Sequence, residues 1–61
     1  MEPQLAYAWI NNGNALDQLR KYDEAITCYD KAIEIDSQDA DAWNNKGHTM
    51  KNLGRYDEAI T

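Results

Sequence analysis

The chain has 61 residues and a net charge of −5, from eleven acidic and six basic side chains, so it forms at most one small domain and is a poor partner for phosphate backbones or anionic lipid headgroups. With no Phe, no Val and a single Pro, the composition favours helices, and no sheet is expected. No apolar run approaches the ~18 residues needed to span a bilayer.

The first predicted element is a helix over about 4–19. Leu5, Ala8, Trp9, Gly13, Leu16 and Leu19 recur on one face at steps of three and four, and Pro3 suits a first helical turn. Asn12-Gly13 reads locally as a hairpin turn, yet helical spacing continues on both sides of it, so Gly13 is read as a packing glycine. A break falls near Arg20 and Lys21, where cations suit the end of one helix and Asp23-Glu24 the start of the next. The second helix, over about 22–35, places Tyr22, Ala25, Ile26, Tyr29, Ala32 and Ile33 on one face. Asp36-Ser37-Gln38-Asp39 follows as a polar turn, with Ser37 or Asp39 as the cap of a third helix over about 39–53. A fourth is expected to begin at about 56 and run to 61.

These elements repeat with a period of 34. Between Gln4 and Thr27, thirteen of twenty-four positions (Gln4, Ala6, Ala8, Trp9, Asn11, Gly13, Leu19 and Tyr22 to Thr27) are identical to the residue 34 further on. The first unit spans 6–39 and the second 40–61, each an A helix followed by a B helix, with the second B helix cut short. The period, the two helices per unit and the signature Trp9, Gly13, Leu16, Ala25, Tyr29, Ala32, continued as Trp43, Gly47, Met50 and Ala59, resemble the tetratricopeptide repeat (TPR) family. The chain departs from the family pattern at Asn12 and Lys46 in place of leucine, at Leu16 and Met50 in place of tyrosine, and at Ser37 in place of proline. The resemblance implies an all-α fold of antiparallel helix-turn-helix units stacked as a short right-handed superhelix, an α-solenoid. It also implies a protein-interaction module that holds a peptide or protein partner on a concave face lined by the A helices. A targeting or regulatory arm of a larger enzyme, such as a glycosyltransferase, is the alternative. An RNA-binding helical repeat is a third reading, opposed by the 34-residue period, the two tryptophans and the acidic charge.

Helix geometry places Tyr7, Ile10, Asn11, Asn14, Asp17 and Gln18 on the concave side of the first A helix. Asp41, Asn44, Asn45, His48, Lys51 and Asn52 hold the same side of the second. The partner-binding candidates are Tyr7, Ile10, Asn11, Asn14, Asn44, Asn45, His48 and Asn52. Asparagine amides donate and accept, so a row of them can satisfy an extended peptide backbone, while Tyr7 and Ile10 would supply apolar anchor area. Asn11 and Asn45 carry the reading furthest, since a matched pair of mediocre helix formers at interior sites suggests a use. Asn14 and Asn45 are similar to two positions of the carboxylate clamp of some family members, but the clamp lysine falls at Ile10, and chaperone binding is not predicted.

Nothing in the sequence assembles a catalytic or metal site. His48 is the only histidine and Cys28 the only cysteine, and they are expected on different helices. The acid pairs Asp23-Glu24 and Asp57-Glu58 open helices, where the helix dipole accounts for them. The glycines at 13, 47 and 54 form no phosphate loop. No enzyme activity and no cofactor are expected. A lone Cys28 makes no internal disulfide, and Met1 to Ile10 lacks a basic start and a long apolar core, so a cytoplasmic location is expected. The second unit stops within its B helix, so the chain is expected to be a piece of a longer array, or to complete itself by self-association through that incomplete helix.

Overall fold

The computed structural model describes the backbone of residues 3–60 and the side chains of residues 4–55. Three helices account for nearly all of it: α1 (Pro3–Gln18), α2 (Tyr22–Ile35) and α3 (Ala40–Ile60), with no strand among the described residues. The helix-turn-helix packing is that of an all-α repeat, with α1 packed chiefly on α2, α2 on α3, and a lighter contact between α1 and α3.

The first turn is a Schellman motif. Arg20 adopts a left-handed backbone at φ 64°, its N–H donates to the Asp17 carbonyl at 2.9 Å, and the Lys21 N–H reaches the Leu16 carbonyl at 2.9 Å. Two carbonyls at the end of α1 are thereby satisfied as the chain reverses. In α2, Asp23 and Glu24 lie in the first turn, where the dipole favours acids. The second connection is built on aspartates. Asp36 Oδ1 accepts from the Gln38 N–H, and Asp39 Oδ1 accepts from the N–H groups of Asp41 at 3.0 Å and Ala42 at 3.4 Å. Of the two expected caps for α3, Asp39 is therefore the one that acts.

The core is small and alanine-rich: Ala6, Ile10, Ala25, Tyr29, Ala32 and Ala42, with Trp9, Leu16, Ile33 and Ile35 packed against it. Alanines bring the helix backbones close enough for one large ring to fill the centre. Tyr29 is that ring, and it lies directly against Gly13, where an added Cβ would meet the ring Cε1 at 2.6 Å. Glycine at this point is a requirement of the packing.

The expected break between a second A helix and a second B helix does not form. Instead α3 runs without interruption through Leu53-Gly54-Arg55 to Ile60. Gly54 is the repeat counterpart of Arg20, yet no glycine has a positive φ, so the residue best suited to the turn stays helical. The reason lies in what each turn would gain. Reversal at Arg20 lets fourteen residues of α2 bury Ala25, Cys28, Tyr29 and Ala32. At Gly54, continuing the helix keeps every backbone hydrogen bond in the ladder. The expected self-association through the incomplete second B helix concerns side chains from Tyr56 onward, which lie outside the described residues, as does Ala59 of the repeat signature.

Candidate functional site

On α1 the side chains of Tyr7, Asn11 and Gln18 are exposed, Tyr7 at 63%. They form one stripe at steps of four and seven residues, and Asn14 lies on the same stripe, half-buried. On α3 the exposed stripe is Asn44, His48, Lys51 and Arg55, at steps of four, three and four. The two stripes are out of phase by the 34-residue rule, and the packing explains the shift. Helix α3 turns Ala42 and Thr49, both fully buried, toward the first unit, with Asn45 and Asn52 half-buried on the same side. Helix α1 buries Ala6 and Ile10.

Four of the eight partner-binding candidates, Tyr7, Asn11, Asn44 and His48, thus lie open. The other four do not. Ile10 is only 4% exposed and belongs to the core, which corrects the expectation of an apolar anchor there: the A-helix face beside it is covered. Asn14 is half-buried and accepts a 2.6 Å hydrogen bond from the Tyr29 hydroxyl. Asn45 and Asn52 are half-buried, so Asn11 and Asn45, matched in sequence, are not equally displayed.

A polar knot joins the three helices, and the repeat comparison did not foresee it. Tyr29 donates to Asn14, and the buried Thr49 hydroxyl donates to Asp17 Oδ1 at 3.2 Å. Burial raises the Tyr29 phenol above its ordinary value; a hydrogen bond with Thr49 opposes the rise and the Asp17 carboxylate adds to it. The available signal was a break in the repeat, since Thr49 stands where the first unit has Ala15, and Asp17 where the second has Lys51. Cys28 is buried against Asn12, whose side-chain amide donates to its sulfur at 3.5 Å. Burial also pushes this thiol up, as suits a packed cysteine and not a reactive one.

The repeat signature divides in two. Trp9, Gly13, Leu16, Ala25, Tyr29 and Ala32 meet one another in and around the core. The described counterparts in the second unit, Trp43, Gly47 and Met50, do not. Trp43 is 50% and Met50 52% exposed, and among the described residues a Cβ on Gly47 would meet nothing within 4 Å, so no described side chain packs on this glycine as Tyr29 packs on Gly13. Trp43 is steadied locally: its indole N–H donates to the Ser37 carbonyl at 2.7 Å, and the Lys46 ammonium sits 5.7 Å from its ring centroid while bonding Asp30 at 2.6 Å.

The family profile described as TPR repeat matches residues 13–54, more than half of the chain. The chain belongs to the TPR family. No curated protein and no solved structure matches it. TPR units are non-catalytic repeat modules that mediate protein–protein interaction, and proteins are accordingly the partners of this TPR chain. Among the described residues no group of three His, Cys, Asp or Glu side chains could hold a metal ion, and no helix is long and apolar enough to cross a membrane.

Proposed function

We propose that this TPR chain binds an extended segment of a partner protein across the open stripes of α1 and α3, in the cytoplasm. The observation that carries the reading is the pair of exposed, amide-bearing stripes on the two A helices, Tyr7, Asn11 and Gln18 beside Asn44, His48 and Lys51, which helix packing leaves uncovered. Tyr7 offers a broad amphipathic surface of the kind that anchors interfaces, and the amides offer both donors and acceptors to a peptide backbone. The test is selection from a random peptide library on the immobilised chain, followed by titration of the selected peptide. Tyr7→Ala and Asn44→Ala are each expected to weaken binding by about tenfold, equivalent to ~1.4 kcal/mol, with melting unchanged. Selected peptides that bind both variants as tightly as the parent would refute the site.

A further inference from the structure

We infer that the partner segment is acidic at the end that reaches α3, drawn there by His48, Lys51 and Arg55. This rests on the site proposed above and gives that site's partner a charge. Asn44, His48, Lys51 and Arg55 stand exposed along α3 at steps of four, three and four, so the last three share one arc within about 10 Å of helix length. Asp41, exposed in the first turn of α3, lies at the other end of the row. The row therefore runs from acid at its start to base at its end.

In a chain of net charge −5 such a concentration of cations calls for a cause. Of the six basic residues, Lys31 and Lys46 are held by Glu34 at 3.8 Å and Asp30 at 2.6 Å. Arg20, Lys21, Lys51 and Arg55 are exposed and form no ion pair with a described carboxylate. These four gather at one level of the fold. The Thr49 hydroxyl bonds Asp17, which fixes that level on α1 and α3, and both helices run on from there toward their cations. Arg20 and Lys21 have a local reason at the end of α1, where the dipole favours them. Lys51 and Arg55 have none, because α3 runs through both without a break.

The exposed face of α2 has the reverse sign, Asp23, Glu24, Asp30 and Glu34 against Lys31 alone. An acidic segment is thus repelled along α2 and favoured along α3, which selects the face it meets. On α1 the open side chains Tyr7, Asn11 and Gln18 are uncharged, so the end of the segment lying there is neutral. The two ends differ, and that difference sets the segment's direction. Lys51 offers a carboxylate a point charge and Arg55 a planar, bidentate fork. Asn14 and Asn45, which resemble clamp positions of the family, take no part: Asn14 is held by Tyr29 and Asn45 is half-buried.

The probe is a synthetic peptide with one Gln/Ser half and one Asp/Glu half, blocked at both ends so that no terminal carboxylate contributes. It is titrated beside a counterpart carrying Asn and Gln in place of the acids, with backbone amide shifts and heat followed. The acidic peptide is expected to bind at least about tenfold more tightly, with shifts centred on His48, Lys51 and Arg55. The preference should shrink as ionic strength rises from about 0.05 to about 0.5 M. Lys51→Gln with Arg55→Gln is expected to remove the preference while melting holds. Lys51→Glu with Arg55→Glu is expected to reverse it toward a Lys-containing peptide, a gain that misfolding cannot imitate. Equal affinity for the acidic and neutral peptides, or a preference that survives charge reversal, would overturn the inference. So would a parent chain that sediments as an oligomer dispersed by the same reversal, since the row would then belong to a second copy. Library-selected peptides that are neutral, yet weakened by Tyr7→Ala and Asn44→Ala, would remove the inference and leave the proposed function standing. An acid preference that reverses as expected, with those two variants binding as tightly as the parent, would remove the proposed site and leave acid recognition on α3.

Discussion

The two A helices carry nearly the same signature and live in different surroundings. In the first unit Trp9, Gly13 and Leu16 are roofed by α2, and Gly13 has no room for a methyl group. In the second, Trp43, Gly47 and Met50 face outward, and no described residue stands above Gly47. The turn residues are also mismatched to their roles. The reversal is made at Arg20, which holds a left-handed backbone that glycine would hold at lower cost, while Gly54 stays inside a helix. The lesson is that a repeat signature encodes a half-interface: it specifies what a helix will accept, and the same signature stands on a covered face in one unit and on an open face in the other.

The largest expected effect breaks the covered half. Gly13→Leu drives a side chain into the Tyr29 ring, and Ala25→Trp overfills a fully buried site, each costing about 1 to 3 kcal/mol or more in urea or thermal unfolding. The same substitution in the open half, Gly47→Leu, is expected to stabilise by about 0.5 to 1 kcal/mol through helix propensity alone. Equal losses from Gly13→Leu and Gly47→Leu would erase the contrast. Next comes the knot that joins the two halves. Thr49→Val removes the donor to Asp17 and should cost about 1 kcal/mol, measured by denaturant midpoint at an unchanged slope.

A smaller gain is expected at the turn. Arg20→Gly relieves the left-handed backbone and should raise stability by about 0.5 to 1 kcal/mol, partly offset by a freer unfolded chain. A loss would mean that the Arg20 side chain contributes more than its backbone costs. The smallest effect is on pH. The folded chain holds the Tyr29 proton more tightly than the unfolded chain does, so this stabilisation is complete below the ordinary phenol value near 10 and is lost as pH rises through the raised folded value. Melting temperature should fall above about pH 10, and Tyr29→Phe should flatten that part of the decline while leaving the share due to the raised Cys28 thiol.

The first unit was legible because period, apolar spacing and turn chemistry agreed there. Helical steps ran through Asn12-Gly13, cations and acids met at Arg20 to Glu24, and aspartates bracketed the second connection. The second unit misled because a period transfers sequence and not surroundings. Tyr56 to Ile60 repeats Tyr22 to Ile26, yet the first stretch opens α2 after the reversal at Arg20 and the second continues α3. The site was half legible for a related reason. Helical phase placed Tyr7, Asn11, Asn44 and His48 on open arcs, while the rotation of α3 against the first unit drew Asn45 and Asn52 inward. That rotation depends on Ala42, Thr49 and Ile10 packing across units, which a comparison of one unit with the next does not contain.

The most direct test of the contrast is backbone chemical shifts of the two turn segments, Leu19 to Tyr22 and Leu53 to Tyr56, measured by nuclear magnetic resonance on one sample. The account predicts a left-handed signature at Arg20 and unbroken helical shifts through Gly54 and Arg55. A reversal at Gly54 matching that at Arg20 would show that the second unit folds back as the first does, and would contradict the claim that the signature alone does not close the repeat.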